Sequence, residues 1–138
     1  MLSRTADSLF WLSRYVERAE NTARIIDAAS RLATLPSGYG ASTNEWESAL
    51  AASGSLAAFK EVYGEEPTAE SAVDFLAFSP ANPSSIKSCL ETARFNARAV
   101  RTALTAEMWE TINSAWLELK DYGPGELDLT RLADFLRF

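Results

Sequence analysis

The chain has 138 residues, 47% apolar and 23% charged, which is the size and make-up of one folded domain with a single core. It carries 13 basic and 19 acidic side chains, a net charge of −6, and no histidine. The missing histidine excludes Ser-His-Asp and Cys-His nucleophile pairs, His-ligated zinc and the Glu-x-x-His di-iron motif. The acidic balance speaks against a general nucleic-acid binder.

The first element is predicted from about Ser3 to Ala33. Leu9, Leu12, Val16, Ala19, Ala23 and Ile26 recur at spacings of 3 and 4, and no Pro or Gly interrupts them before Pro36. This is the stripe of a long helix in a bundle seam. Residues 35–83 are broken by Pro36, Gly38, Gly40, Gly54, Gly64, Pro67, Pro80 and Pro83. Three short helices fit between the breaks: Glu45–Ala52 capped by Asn44, Leu56–Tyr63 capped by Ser55, and Ala69–Phe78 capped by Thr68. This segment holds seven acids and one base, Lys60, so the whole net charge of −6 lies within it. It reads as an acidic short-helix insertion, a layer on a charge-balanced bundle.

A second long helix begins after Asn82-Pro83, with Ser84 or Ser85 as N-cap. Ile86, Leu90, Ala93, Ala97, Val100 and Leu104 form its seam. Thr105 caps a further helix with Trp109, Ile112, Trp116 and Leu119 on one face, and Gly123-Pro124-Gly125 ends it. A last helix starts near Asp128 and carries Leu129, Leu132, Phe135 and Leu136. No strand-like alternation competes, so the expected fold is all-α: a helical bundle built on two long, internally similar helices with the acidic short-helix segment between them.

The two long helices match at an offset of 74, and both contain Glu-x-Ala-x-x-x-Ala-Arg, at Glu17–Arg24 and Glu91–Arg98. Glu20 to Arg24 is the favourable i,i+4 orientation. Antiparallel packing through the alanines would set Arg94, Arg98 and Arg101 opposite Glu17, Glu20 and Asp27 as a partly buried lattice, a use for which arginine is suited. The plainer reading is a set of structural pairs or a solvated face. The sharper one is a polar pocket in which Glu17 or Glu20 is the catalytic carboxylate, with Arg14, Asn21, Arg24, Glu91, Arg94, Asn96 and Arg98 as binding residues.

Metal ligation by Glu17, Glu20 and Glu91 is disfavoured by the neighbouring arginines, and no metal or cofactor is expected. Trp11, Trp109 and Trp116 read as core or interface, and Cys89 as a small buried apolar residue. Gly38-Tyr39-Gly40 is a loop, not a phosphate cradle. A lone cysteine, the lack of a signal peptide and the lack of a long apolar run predict a cytoplasmic protein that does not engage membranes.

The run Met1-Leu2-Ser3-Arg4-Thr5-Ala6-Asp7-Ser8-Leu9-Phe10-Trp11-Leu12-Ser13-Arg14-Tyr15-Val16-Glu17-Arg18-Ala19-Glu20-Asn21-Thr22-Ala23-Arg24 resembles the opening of the alpha-E domain family. Asn82-Pro83-Ser84-Ser85-Ile86, Ala93-Arg94, Asn96-Ala97-Arg98 and Glu107-Met108-Trp109-Glu110 with Asn113 resemble its second block. Asp7, Ser13 and Phe95 depart from the family pattern, and Phe95 replaces a carboxylate beside the lattice. Relatives are typically about twice as long, so by resemblance residues 1–138 look like a single α-helical N-terminal half of a longer protein. The resemblance implies a helical protein without an established activity. It also implies a setting beside ATP-grasp-like ligases and transglutaminase-like proteins, hence peptide or amide-bond modification.

The leading expectation is a non-enzymatic accessory or scaffold protein of such a system. The alternatives are an enzyme of that pathway using a Glu/Arg pocket, and a purely structural homo-oligomerisation domain. Self-association is expected in any case, because the seams at Trp109–Leu119 and Leu129–Phe138 leave apolar faces to cover.

Overall fold

The computed structural model describes residues 2–33, 45–64 and 66–120. The Asn44 cap, the Gly38–Gly40 loop and the helix expected near Asp128 lie outside the described residues. Among the described residues six α-helices follow in order: α1 (Leu2–Ala33), α2 (Glu45–Ala52), α3 (Leu56–Tyr63), α4 (Ala69–Ala77), α5 (Ile86–Ala99) and α6 (Ala106–Lys120). Among the described residues there is no strand.

The predicted caps set most boundaries. Thr68 and Ser71 form a reciprocal capping box: the Ser71 amide donates to Thr68 Oγ1 at 3.2 Å and the Thr68 amide to Ser71 Oγ at 3.0 Å. Ser85 Oγ accepts from the Ser88 amide at the start of α5, and Thr105 Oγ1 from the Met108 amide at the start of α6. Ser55 stands at the N-cap of α3 without a side-chain cap bond. Gly64 closes α3 in the left-handed region, φ 65°, with its amide donating to the Lys60 carbonyl.

α1 and α5 run antiparallel. Leu12 shares a buried cluster with Ala93 and Ala97, whereas Thr22, ten residues on, donates a 3.4 Å hydrogen bond back to the Ser84 carbonyl. A large side chain on α1 thus meets small ones on α5, in place of the alanine-to-alanine match expected from the repeat. The seam of α1 is also rotated from its expected position. Leu12, Tyr15, Ala19, Thr22, Ile26 and Ala29 point inward, whereas Val16 is 41% exposed. Both sets have 3,4 spacing and share Leu12, Ala19 and Ile26, and they differ by about 60° at 3.6 residues per turn. Thr22 enters the seam because its hydroxyl finds a carbonyl there.

α5 ends at Ala99, short of its expected seam end at Leu104. Val100 leaves the helix, and a 3-10 turn at Arg101–Ala103 closes with i→i+3 bonds from Val100, Ala103 and Leu104 to Ala97, Val100 and Arg101. The apolar spacing continues through this turn, so period alone does not mark the helix end.

The acidic segment is not a layer set apart from the bundle. Of the sixteen residues in the main buried cluster, ten come from it: Trp46, Ala49, Leu50, Phe59, Ala72, Val73, Phe75, Leu76, Ala77 and Phe78. Glu61, Glu66 and Glu70 are exposed, whereas Asp74 turns inward with its Oδ1 buried, on helices whose inner sides are strongly apolar. Phe59 stacks on Tyr63 with centroids 4.7 Å apart and meets Phe75 edge-on at 5.5 Å. The turn from α4 to α5 is tied by buried Asn82, which donates to the Phe75 carbonyl at 3.1 Å and accepts from the Ser84 amide at 3.0 Å. No helix among the described residues is long and apolar enough to cross a membrane.

Candidate functional site

The repeated glutamates and arginines point away from the seam. Glu17, Glu20 and Arg24 on α1, and Glu91 and Arg98 on α5, are all exposed. The reason is helical geometry. Ala19, Ala93 and Ala97 face inward and Ala23 lies at the edge of the buried side, so Glu two before the first alanine and Arg one after the last fall on the opposite side.

The expected interhelical lattice does not form. Among the described residues no ion pair joins α1 to α5; Arg24 pairs with Glu20 and Arg31 with Asp27, each one turn back on α1. Such exposed i,i+4 pairs contribute about 0.3–0.5 kcal/mol. Asn96 bonds its own helix, donating to the Thr92 carbonyl at 2.9 Å. Glu17, Glu20, Arg24 and Arg98 therefore do not surround a common cavity.

Arg94 has a different partner from the one expected. Its Nε donates to Asn113 Oδ1 at 3.0 Å, and its guanidinium lies 4.4 Å from the Trp116 ring centre and 6.0 Å from that of Trp109. Arg101 stands 5.3 Å from Trp109, and Lys120 5.3 Å from Trp116. Cations and indoles thus alternate along the α5–α6 contact as Arg101, Trp109, Arg94, Trp116 and Lys120. The flat guanidinium suits this stacking. Trp109 and Trp116 stay half-buried, as interface side chains.

On α1, Trp11, Arg14, Tyr15, Glu17, Arg18 and Asn21 line a shallow depression of about 180 Å³. Trp11 packs against Tyr15 at 6.0 Å and edge-on against Phe10 at 5.3 Å, and is 42% exposed. The depression gathers Arg14, Glu17 and Asn21 from the expected set and adds Trp11, Tyr15 and Arg18. Arg18 could have been found in the sequence, since Glu17-Arg18 is the one Glu-Arg dipeptide in the chain. The 74-residue repeat does not mark it, because Arg24 and not Arg18 has an arginine counterpart on α5.

Displaced protonation lies elsewhere. Cys89 is fully buried, and burial pushes its thiol up to about 11 against a smaller opposing effect of the Arg18 charge. Tyr63 donates its hydroxyl to Asp74 Oδ2 at 2.5 Å; burial first, then that bond and the Asp74 charge, raise it to about 12. This bond ties α3 to α4. Among the described residues no three Cys, Asp or Glu side chains are grouped to hold a metal ion. Glu17 and Arg18 are both exposed on α1, with carboxylate acceptors and five guanidinium donors open to solvent.

Comparison with curated proteins and with solved structures gives no match. A family described as a predicted alpha-helical domain with a conserved ER motif matches residues 1–137. That span is essentially the whole chain, its helices are the fold described above, and its single Glu-Arg pair stands on the open face of α1: the chain belongs to the Alpha-E family.

Proposed function

We propose that this protein is a non-enzymatic helical accessory module that binds other proteins through the charged outer faces of its antiparallel helix pair. The observation that carries this reading is the outward direction of the repeated Glu and Arg side chains. A catalytic carboxylate needs an enclosed, positioned setting, whereas an exposed arginine beside a large exposed aromatic group is the make-up of a protein contact. On α5 that group is Phe95, 74% exposed, one turn from both Glu91 and Arg98. The setting follows from what the family resemblance implies: an ATP-grasp-like ligase or transglutaminase-like partner in peptide or amide-bond modification.

The test is capture of the ATP-grasp-like protein from the native organism on the tagged chain at low salt. Retention is expected, with at least about tenfold loss on combining Phe95→Ala with Arg98→Glu. These are exposed positions, and circular dichroism should show the fold unchanged. No retention at low salt overturns the reading.

A further inference from the structure

The outer face of α1 is a stripe of Phe10, Ser13, Glu17, Asn21, Arg24 and Ala28, all exposed, at spacings of 3 and 4 along a 32-residue helix. Read from its middle, the stripe is self-complementary. About a point between Glu20 and Asn21, the residue opposite position i on an antiparallel copy is 41 minus i. Glu17 then faces Arg24, and Ser13 faces Ala28. Neighbouring registers lose this pair: one turn in one direction sets Glu17 against Asn21, and one turn in the other sets Glu17 against Ala28. Glu17 and Arg14 have no ion-pair partner among the described residues.

We infer that the outer face of α1 binds a second copy of this chain, antiparallel about a two-fold axis between Glu20 and Asn21. Two Glu17–Arg24 pairs form across the axis, symmetric by construction as an isologous contact requires. The small Ser13 and Ala28 let the backbones approach on either side, and Phe10 adds apolar area toward each end. Arg24, already paired with Glu20 on its own helix, is held in place to receive the second carboxylate. A contact one helix long, about 48 Å, is at the low end of stable interfaces and mostly polar, so it is a salt-sensitive equilibrium. The inference rests on the reading of these outer faces as contact surfaces. It assigns α1 to self-association and leaves α5, with Phe95, for the other protein.

The experiment is sedimentation equilibrium of the purified full chain with cysteine cross-linking. A dimer is expected at low ionic strength and a monomer at high salt. Glu17→Arg or Arg24→Glu alone should weaken the dimer at least about tenfold, and the double exchange should restore it. Ser13→Cys and Ala28→Cys proteins should form a disulfide when mixed and none when alone; Cys89, buried, does not compete. These small exposed changes keep the test open even if a charge reversal fails to fold. A monomer at low salt, a dimer indifferent to both reversals, or Ser13→Cys coupling to itself overturns the inference. A monomer that still captures the ATP-grasp-like protein leaves the proposed function standing, and a dimer that captures none separates the two in the other direction.

Discussion

Cys89 shows how a single side chain reports on the core. It lies on α5 among Ile86 and Ala93, with no exposed surface, and its thiol is displaced from 9.0 to about 11. The unfolded chain therefore releases this proton near pH 9 while the folded one keeps it. The sign follows: stability is full below pH 9 and falls as pH rises toward 11. Denaturation midpoints measured from pH 8 to 11 should show that fall, and Cys89→Ala should flatten it. Tyr63 acts in the same direction between pH 10 and about 12, so Tyr63→Phe should remove the upper part. At this scale the sequence was readable where a residue acts on its own backbone. Thr68, Ser85 and Thr105 cap where their positions before apolar runs said they would, because capping is local. The partner of Arg94 was not readable, because Asn113, Trp109 and Trp116 come from another helix.

At the scale of elements, α1 shows why a heptad pattern leaves a seam ambiguous. Two stripes with the same spacing share three residues, and the choice between Val16 and Tyr15, or Ala23 and Thr22, depends on what packs alongside. α2 and α4, like α5, lie against α1, and its buried arc turns to serve all three. The α5–α6 contact was legible as a tryptophan stripe but not as a stack of indoles and cations. Arg94→Ala should destabilise the protein by about 1–2 kcal/mol, from the lost stacking and the lost Asn113 bond. Arg94→Lys keeps the charge without the flat face and should fall between. Urea unfolding followed by tryptophan fluorescence checks both; an unchanged midpoint in Arg94→Ala would place the strength of the contact elsewhere.

For the whole molecule, the decisive fact is that the acidic segment and the long helices share one core. Phe59 is fully buried, and Phe59→Ala should cost about 3–5 kcal/mol. The loss should appear in one transition, seen alike by far-ultraviolet circular dichroism, which the long helices dominate, and by near-ultraviolet signals from the aromatic cluster. Two transitions, with α1 and α5 surviving the first, would make the segment a separate unit. The net charge of −6 thus belongs to a segment that builds the common core, not to an appended layer.

The sequence by itself determined the all-α class, the short helices α2 and α3 residue for residue, the caps of α4, α5 and α6, and the apolar role of Cys89. Each follows from interactions within a few residues along the chain or from a clear absence of strand alternation. Only the tertiary structure decided which stripe of α1 is buried, that the repeated Glu and Arg face outward and do not interlock, and that Arg94 stacks on tryptophan. Helical period fixes which residues share a side, but a charged side is equally compatible with a lattice, a pocket or open water. That choice is made by the helices packed opposite, and here alanine and leucine took the inner side and left Glu17 and Arg18 facing out.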